Sequence, residues 1–356
     1  MPNRPAIIDA DGHYMERQPE VSKYLKEPWS RRKTPMLASD QPWDSDLFGT
    51  LMEPRLRGLS AREQLDTWLE IMARENFERA ILFPTGFGGV VKLQEKDFAI
   101  AVAQAFNDFV AEEFNRRTDR VHAVGVLPLR DPEAAAKELR RCVTELGVAA
   151  FEIITTGMPV ALGDPSLDPV WAEAEKLGAA MCVHGTRGNS YELGGDKLRS
   201  FAEVHCYAFP AGLLLQFTSM VFNGIPVRFP KLKLAFLEIG ASWLPYYLDR
   251  MDEHWEKRGE VETPHLKRKP SEIVREANIW FSVEAGEKLL PQTIEVVGDK
   301  HFLYASDIPH WDNEFPHSLE QLWEHPDLSD ATKQRILHDN ALDLYAVALS
   351  KQKVAA

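Results

Sequence analysis

Eight short apolar runs recur along almost the whole chain, and stretches with helical spacing separate most of them. The runs lie at Ala6–Asp9, Arg79–Phe83, Ala123–Leu127, Ala149–Ile153, Ala180–Val183, Leu232–Leu237, Ile279–Ser282 and Phe302–Tyr304. Continuous apolar segments of this length are what strands buried on both faces require. Helices are predicted at Ala61–Glu75, Asp97–Arg116, Pro132–Leu146, Pro169–Leu177, Trp243–Trp255, Lys288–Val297 and Ala331–Leu342. Asp131 and Pro132 open one of them as cap and first turn, and Gly147 and Gly178 stand where two of them end. Eight strands alternating with helices predict an α/β fold, a parallel (βα)8 barrel. An open doubly wound sheet is the structural alternative. With 356 residues, 44% of them hydrophobic, the chain can bury one large core, and a single domain over residues 1–356 is expected.

Two segments break the alternation. Tyr14–Ser60, after the first strand, is long, polar and rich in Pro and Trp. Trp29, Trp43 and Leu51 need burial, so a lid over the barrel mouth or an oligomer arm is expected there. Thr186–Glu203, after the fifth strand, is Gly-rich. Long loops after strands belong on the catalytic face of a barrel.

Charge and cysteines narrow the function. A net charge of −13 repels phosphate backbones, so nucleic acid is not an expected partner. No uninterrupted apolar stretch reaches 18 residues and the N-terminus lacks a leader-like apolar region, so no membrane span is predicted. Three cysteines, none with CxxC spacing, fit a reducing cytoplasm better than a disulfide framework. The Gly-rich PTGFGG stretch has no Lys-Ser or Lys-Thr after it and is no phosphate loop.

Chemistry concentrates at strand ends. In IIDADGH, Asp11 and His13 stand two residues apart, so a strand would aim both at one side. A carboxylate oxygen and an imidazole nitrogen make a competent pair of metal ligands. His184 ends the fifth strand in MCVHG, and Asp307 ends the eighth in ASDIPH, where it can bind a metal or take a proton. Strands one, five and eight thus bring Asp or His to the same face. Glu238 ends the sixth strand, and a carboxylate there is costly to bury unpaired. It is a further metal ligand, an acid–base group, or a partner of Arg250.

IDADGH, MCVHG, RFPKLKLAFLEIGASWLPYYLDRMDE and FLYASDIPH resemble, over nearly the whole chain, the amidohydrolase-related proteins that include aminocarboxymuconate-semialdehyde decarboxylase and γ-resorcylate decarboxylase. The resemblance implies a (βα)8 fold, a homo-oligomer, a small carboxylic-acid substrate and a catalytic divalent ion: zinc, manganese or iron. It assigns the metal to Asp11, His13, His184 and Asp307; by residue type and position, Glu238 and His205, soon after the fifth strand, are candidate additional ligands. Asp11 stands where that family has the His or Glu of its His-x-His or Glu-x-His start. Glu238 stands where many members carry a His that serves proton transfer. Around these lie Arg187, able to hold a substrate carboxylate, and His310, close behind Asp307, as a substrate-side or orienting group. Glu16 and Glu152 default to salt bridges.

The expected activity is metal-dependent non-oxidative decarboxylation of an aromatic or unsaturated carboxylic acid, with Asp307, Glu238 and His184 catalytic. Three alternatives stay open: hydrolysis of a C–N, C–O or C–C bond by metal-bound water, dinuclear iron or manganese oxygen chemistry, and a degenerate non-catalytic partner subunit.

Overall fold

The computed structural model describes residues 5–32, 35–37, 56, 58–186 and 190–350. Among these, nine strand segments run parallel: β1 Ile7–Tyr14, β2 Phe77–Pro84, β3 Val121–Ala123, β4 Gly125–Val126, β5 Ala150–Ile154, β6 Ala180–His184, β7 Lys233–Leu237, β8 Ile279–Val283 and β9 Phe302–Tyr304. They pair in chain order as one ladder of β1 to β3 and another of β4 to β9.

Backbone bonds close both seams between the ladders. On one side Val124 N–H donates to Leu82 O at 3.0 Å. On the other, Asp307 N–H donates to Asp11 O at 3.0 Å and His13 N–H to Ile308 O at 2.6 Å, which joins the last strand to the first. The barrel therefore has eight staves, as the alternation predicts, with β3 and β4 forming the third together.

The split third stave has a side-chain cause. Asn115 pairs with both backbone groups of Ala123, and Asn107 pairs with both of Val126. The two amides come from the helix Lys96–Val110 and from the π-helical turn Ala111–Asn115 that continues it. They take the place of ladder bonds that the strand does not make at those residues.

The first strand is longer than predicted. It runs through Asp11, Gly12 and His13 to Tyr14 with an irregular register between Asp9 and Gly12, a local bulge of the kind found beside active sites. Gly12 is not a turn residue. A Cβ there would lie 2.5 Å from the ring of Trp68, whose indole N–H donates to His13 O at 3.0 Å. The helix Ala61–Glu75 thus presses its buried Trp68 against the ligand-bearing end of β1.

The two helix ends read at Gly147 and Gly178 are found there. Cys142–Leu146 is a π-helical turn closed by Gly147 at φ 73°, and Asp168–Leu177 ends on Gly178 at φ 66°.

One long helix was not foreseen. Phe201–Phe222 starts at Ser200 with a capping box to Glu203 and carries Pro210 inside it. Its hydrophobic residues are spread around the axis, so it shows no amphipathic stripe to detect. By length and composition it is apolar enough to cross a membrane, although Glu203, His205 and Gln216 interrupt the apolar run. Its Phe217 packs edge-on against Phe236, Trp243 and Phe281 of the barrel wall.

Of the insertion after β1, Trp43 and Leu51 lie outside the described residues. Its described part packs on the helix Lys96–Val110: the Trp29 and Phe98 rings are 5.2 Å apart, and Arg32 lies 4.1 Å over Phe98. Gln18 fixes the segment by accepting from Met36 and Leu37 and donating back to Leu37 O.

Candidate metal centre and active site

The C-terminal ends of the staves bring the predicted residues together. Asp11 and His13 project from β1, His184 ends β6, Glu238 follows β7, and Asp307 follows β9. The Nε2 of His13 is the hub: it lies 3.3 Å from Asp11 Oδ1, 3.3 Å from Asp307 Oδ1 and 3.6 Å from Glu238 Oε1. His184 Nε2 is 3.4 Å from Asp11 Oδ1. Its other nitrogen, Nδ1, is 3.0 Å from Gly185 O, so Nδ1–H donates there and Nε2 is the nitrogen that faces Asp11.

Two overlapping groups could each hold a cation: Asp11, His13 and His184, and His13, Glu238, Asp307 and His310. His13 is common to both.

The local backbone is strained where it aims these side chains. Glu238 has φ 75° and Asp307 has φ 53°, left-handed conformations that cost non-glycine residues roughly 1–3 kcal/mol each. Both are held. Ser282 Oγ accepts from Glu238 N–H at 2.8 Å, while Asp307 N–H is bound by Asp11 O. Glu287 braces the turn after Glu238 by accepting from the N–H groups of Ala241, Ser242 and Glu284.

The site is an excess of negative charge in a dry place. Asp11 and His13 are each 1% exposed, His184 is 4% and the Glu238 side chain 8%. Burial works against charging either imidazole, yet Glu238 and Asp11 raise His184 to about 10, and the carboxylates of Asp11 and Asp307 hold His13 well above its ordinary range. Burial pushes Glu238 well above the carboxylate range; His184 opposes this and Asp307 adds to it. Asp307 is held low despite its burial by His310 and by the hydrogen bond from His13. Such a cluster calls for positive charge, as protons or as a metal ion.

Its unpartnered atoms fit a metal. His13 Nδ1 is buried without a hydrogen-bond partner, and His13 Nε2 and Glu238 Oε2 meet their neighbours only in loose contacts of 3.3–3.6 Å and 3.4 Å rather than in formed hydrogen bonds. Buried polar atoms are normally satisfied, so these are the atoms a bound ion or substrate would engage. Two imidazoles with two or three carboxylates suit manganese, iron or zinc.

Other predicted residues take different places. His310 Nδ1–H donates to Asp307 Oδ1 at 2.6 Å, which orients that carboxylate, while its unpartnered Nε2 is buried beside the cavity. His205 joins neither ligand group. It sits on Phe201–Phe222 among Phe201, Phe209 and Trp311, with Nε2 3.9 Å from Asp312 Oδ2. Glu238 faces His13, His184 and His310 rather than Arg250. Arg187 lies outside the described residues.

Among the described residues Glu16 makes no salt bridge. It accepts from the N–H groups of Thr85, Gly86 and Phe87, so the anion pocket of the Gly-rich turn is filled by the protein's own carboxylate. Glu152 is buried on β5 with Oε1 3.9 Å from His184 Nδ1, and burial raises it to about 7.

A cavity open to solvent adjoins the centre. Asp11, Glu238, Asp307 and His310 form its floor, and Phe201, Phe209 and Trp311 give it an aromatic side. Sequence reasoning missed this aromatic side, because the helix that carries two of its rings shows no periodic stripe. It also left Ser282 unassigned, although SVE at the end of β8 repeats the pattern of a polar residue closing an apolar strand.

The chain is 29% identical over 297 residues to 2-amino-3-carboxymuconate-6-semialdehyde decarboxylase of Dictyostelium discoideum, covering 80% of this chain and 77% of that one. It is 26% identical to γ-resorcylate decarboxylase of Rhodococcus jostii, covering 79% and 87%. Its fold matches the crystal structure of dihydroxybenzoic acid decarboxylase from Polaromonas with bound manganese and 2-nitroresorcinol, at TM-score 0.72 and 20% identity over 97% of this chain and 98% of that one. Solved barrels of this kind confirm the (βα)8 architecture that the two closed seams describe. The family model described as amidohydrolase matches residues 8–347, and the chain belongs to the amidohydrolase family.

Proposed function

We propose that this protein is a metal-dependent, non-oxidative decarboxylase of an aromatic or unsaturated carboxylic acid. The observation that carries the reading is the meeting at His13 Nε2 of Asp11 and Asp307, with His184 beside Asp11 and Glu238 within 3.6 Å of His13, next to an aromatic-sided cavity. The decarboxylase relatives support the same class of substrate.

Asp11, His13, His184 and Asp307 would hold the ion, manganese in first place because hard carboxylate donors accompany the imidazoles. Bound there, a divalent cation supplies positive charge that fixes the substrate carboxylate and a neighbouring oxygen. The C–C bond to the carboxylate breaks, CO₂ leaves, and the bonding pair stays on the substrate carbon, which takes one proton. Glu238 gives that proton: burial pushes its carboxyl toward the protonated form, and it lines the cavity beside the ligands. His310 keeps Asp307 turned toward His13. Phe201, Phe209 and Trp311 cover the apolar face of the substrate and exclude water.

The dinuclear alternative is weakened by the hub: both candidate ligand groups use His13. One imidazole nitrogen serves one ion. Metal analysis of the purified protein tests the reading, with one manganese per chain expected. A protein that never takes up a stoichiometric metal would leave the non-catalytic partner reading instead.

A further inference from the structure

We propose that Asp9 is a positioning residue: it holds Asp307 in its left-handed conformation by gripping Ser306. This rests on the proposed metal centre. By position alone Asp9, Asp11 and His13 share one side of a strand, and Asp9 would pass for a third ligand. The structure gives it another task. Asp9 is fully buried, and both of its carboxylate oxygens are engaged. Oδ2 accepts from Ser306 Oγ–H at 2.5 Å, and Oδ1 accepts from Ser306 N–H at 3.0 Å and from Asp11 N–H at 3.4 Å.

The grip extends through the turn. Ser306 Oγ accepts in its turn from Ile308 N–H at 3.3 Å, and Asp307 N–H is bound by Asp11 O. All three consecutive N–H groups of Ser306, Asp307 and Ile308 are therefore fixed, two of them through the Asp9–Ser306 pair. Asp307 sits between them at φ 53°. A residue in that region persists only while its surroundings over-determine it. No other side chain bonds the backbone N–H groups on either side of Asp307 among the described residues. Removing the grip frees the turn to relax, which swings the Asp307 carboxylate away from His13.

The test measures manganese affinity and backbone geometry, not turnover. Asp9→Asn and Ser306→Ala should each weaken manganese binding by roughly 10–100-fold, the usual scale for losing a group that orients a ligand. The double variant should bind no more weakly than Asp9→Asn alone, because both act through one contact. Ser306→Thr, which keeps the hydroxyl, should restore affinity to near the native value. In the Asp307→Asn background, Asp9→Asn should add no further loss. Affinity within about twofold of native in both single variants overturns the proposal, as do losses that multiply in the double variant. If Asp9→Asn does not fold, Ser306→Ala decides on the same readouts. If the native protein takes up no divalent ion, the metal reading fails on its own. The crystal structure of Ser306→Ala then settles the grip: Asp307 leaving positive φ supports it, and Asp307 unchanged overturns it.

Discussion

Asp307 donates its peptide N–H to the carbonyl oxygen of Asp11 at 3.0 Å, so the bond that closes the barrel also sets the spacing of two candidate metal ligands. The last and first staves cannot separate without pulling the site apart. Metal binding and barrel closure should therefore be coupled, and the ion should stabilise the fold by mass action.

His184→Ala removes a ligand whose Nε2 faces Asp11. Manganese affinity is expected to fall by about 100-fold or more and turnover to vanish, while far-ultraviolet circular dichroism of the metal-free variant stays native. A variant that keeps full manganese occupancy would remove His184 from the ligand set.

Glu238→Gln keeps the shape of the side chain and removes its proton. Turnover is expected to drop by roughly 10²–10⁴-fold while manganese affinity stays within a few fold. Loss of the metal in calorimetry would make Glu238 a ligand instead of the proton donor.

Metal uptake should release protons. Without an ion, His184 is raised to about 10 and His13 is also held up, so both carry protons at neutral pH. A metal binds the neutral imidazole, so affinity should rise with pH and weaken as pH falls. The metal-free fold should show the opposite trend. A histidine raised above its ordinary 6.5 stabilises fully below that pH and loses its contribution as pH rises through about 10. Calorimetry in buffers of different ionisation enthalpy counts the protons released. A pH-independent affinity would contradict the charge balance drawn for the site.

Asn107 tests the fold rather than the chemistry. It is fully buried and pairs with Val126 N–H, Val126 O and Glu138. Asn107→Ala strands buried backbone groups, and destabilisation by about 2–4 kcal/mol is expected from the denaturant midpoint. A change below about 0.5 kcal/mol would show that the third stave does not need the amide.

The architecture was legible because a barrel strand is buried on both faces, so its apolar run announces it whatever surrounds it. Asp11, His184 and Asp307 were legible because a charged residue ending such a run is conspicuous. The two-part third stave was not, since its cause is the Asn107 and Asn115 amides on the helix just before it, whose pairing with strand backbone leaves no mark in the apolar pattern. Glu16 and Glu152 defaulted to salt bridges; Glu152 does face a cation, His184, whereas Glu16 meets loop N–H groups, which no charge pattern records. Phe201–Phe222 escaped because it lacks a stripe, and with it went the aromatic side of the cavity. His205 looked like a ligand by type alone; the fold turns it to Asp312.

The most direct measurement is carbon dioxide release from hydroxylated benzoic acids in D₂O by the manganese-loaded protein. The account predicts stoichiometric CO₂, product with one deuterium at the carbon that lost its carboxylate, no oxygen consumption, and complete loss on chelation. Manganese-loaded protein that instead consumes oxygen, or that hydrolyses amide or ester analogues while leaving the carboxylates of the whole panel intact, would contradict it.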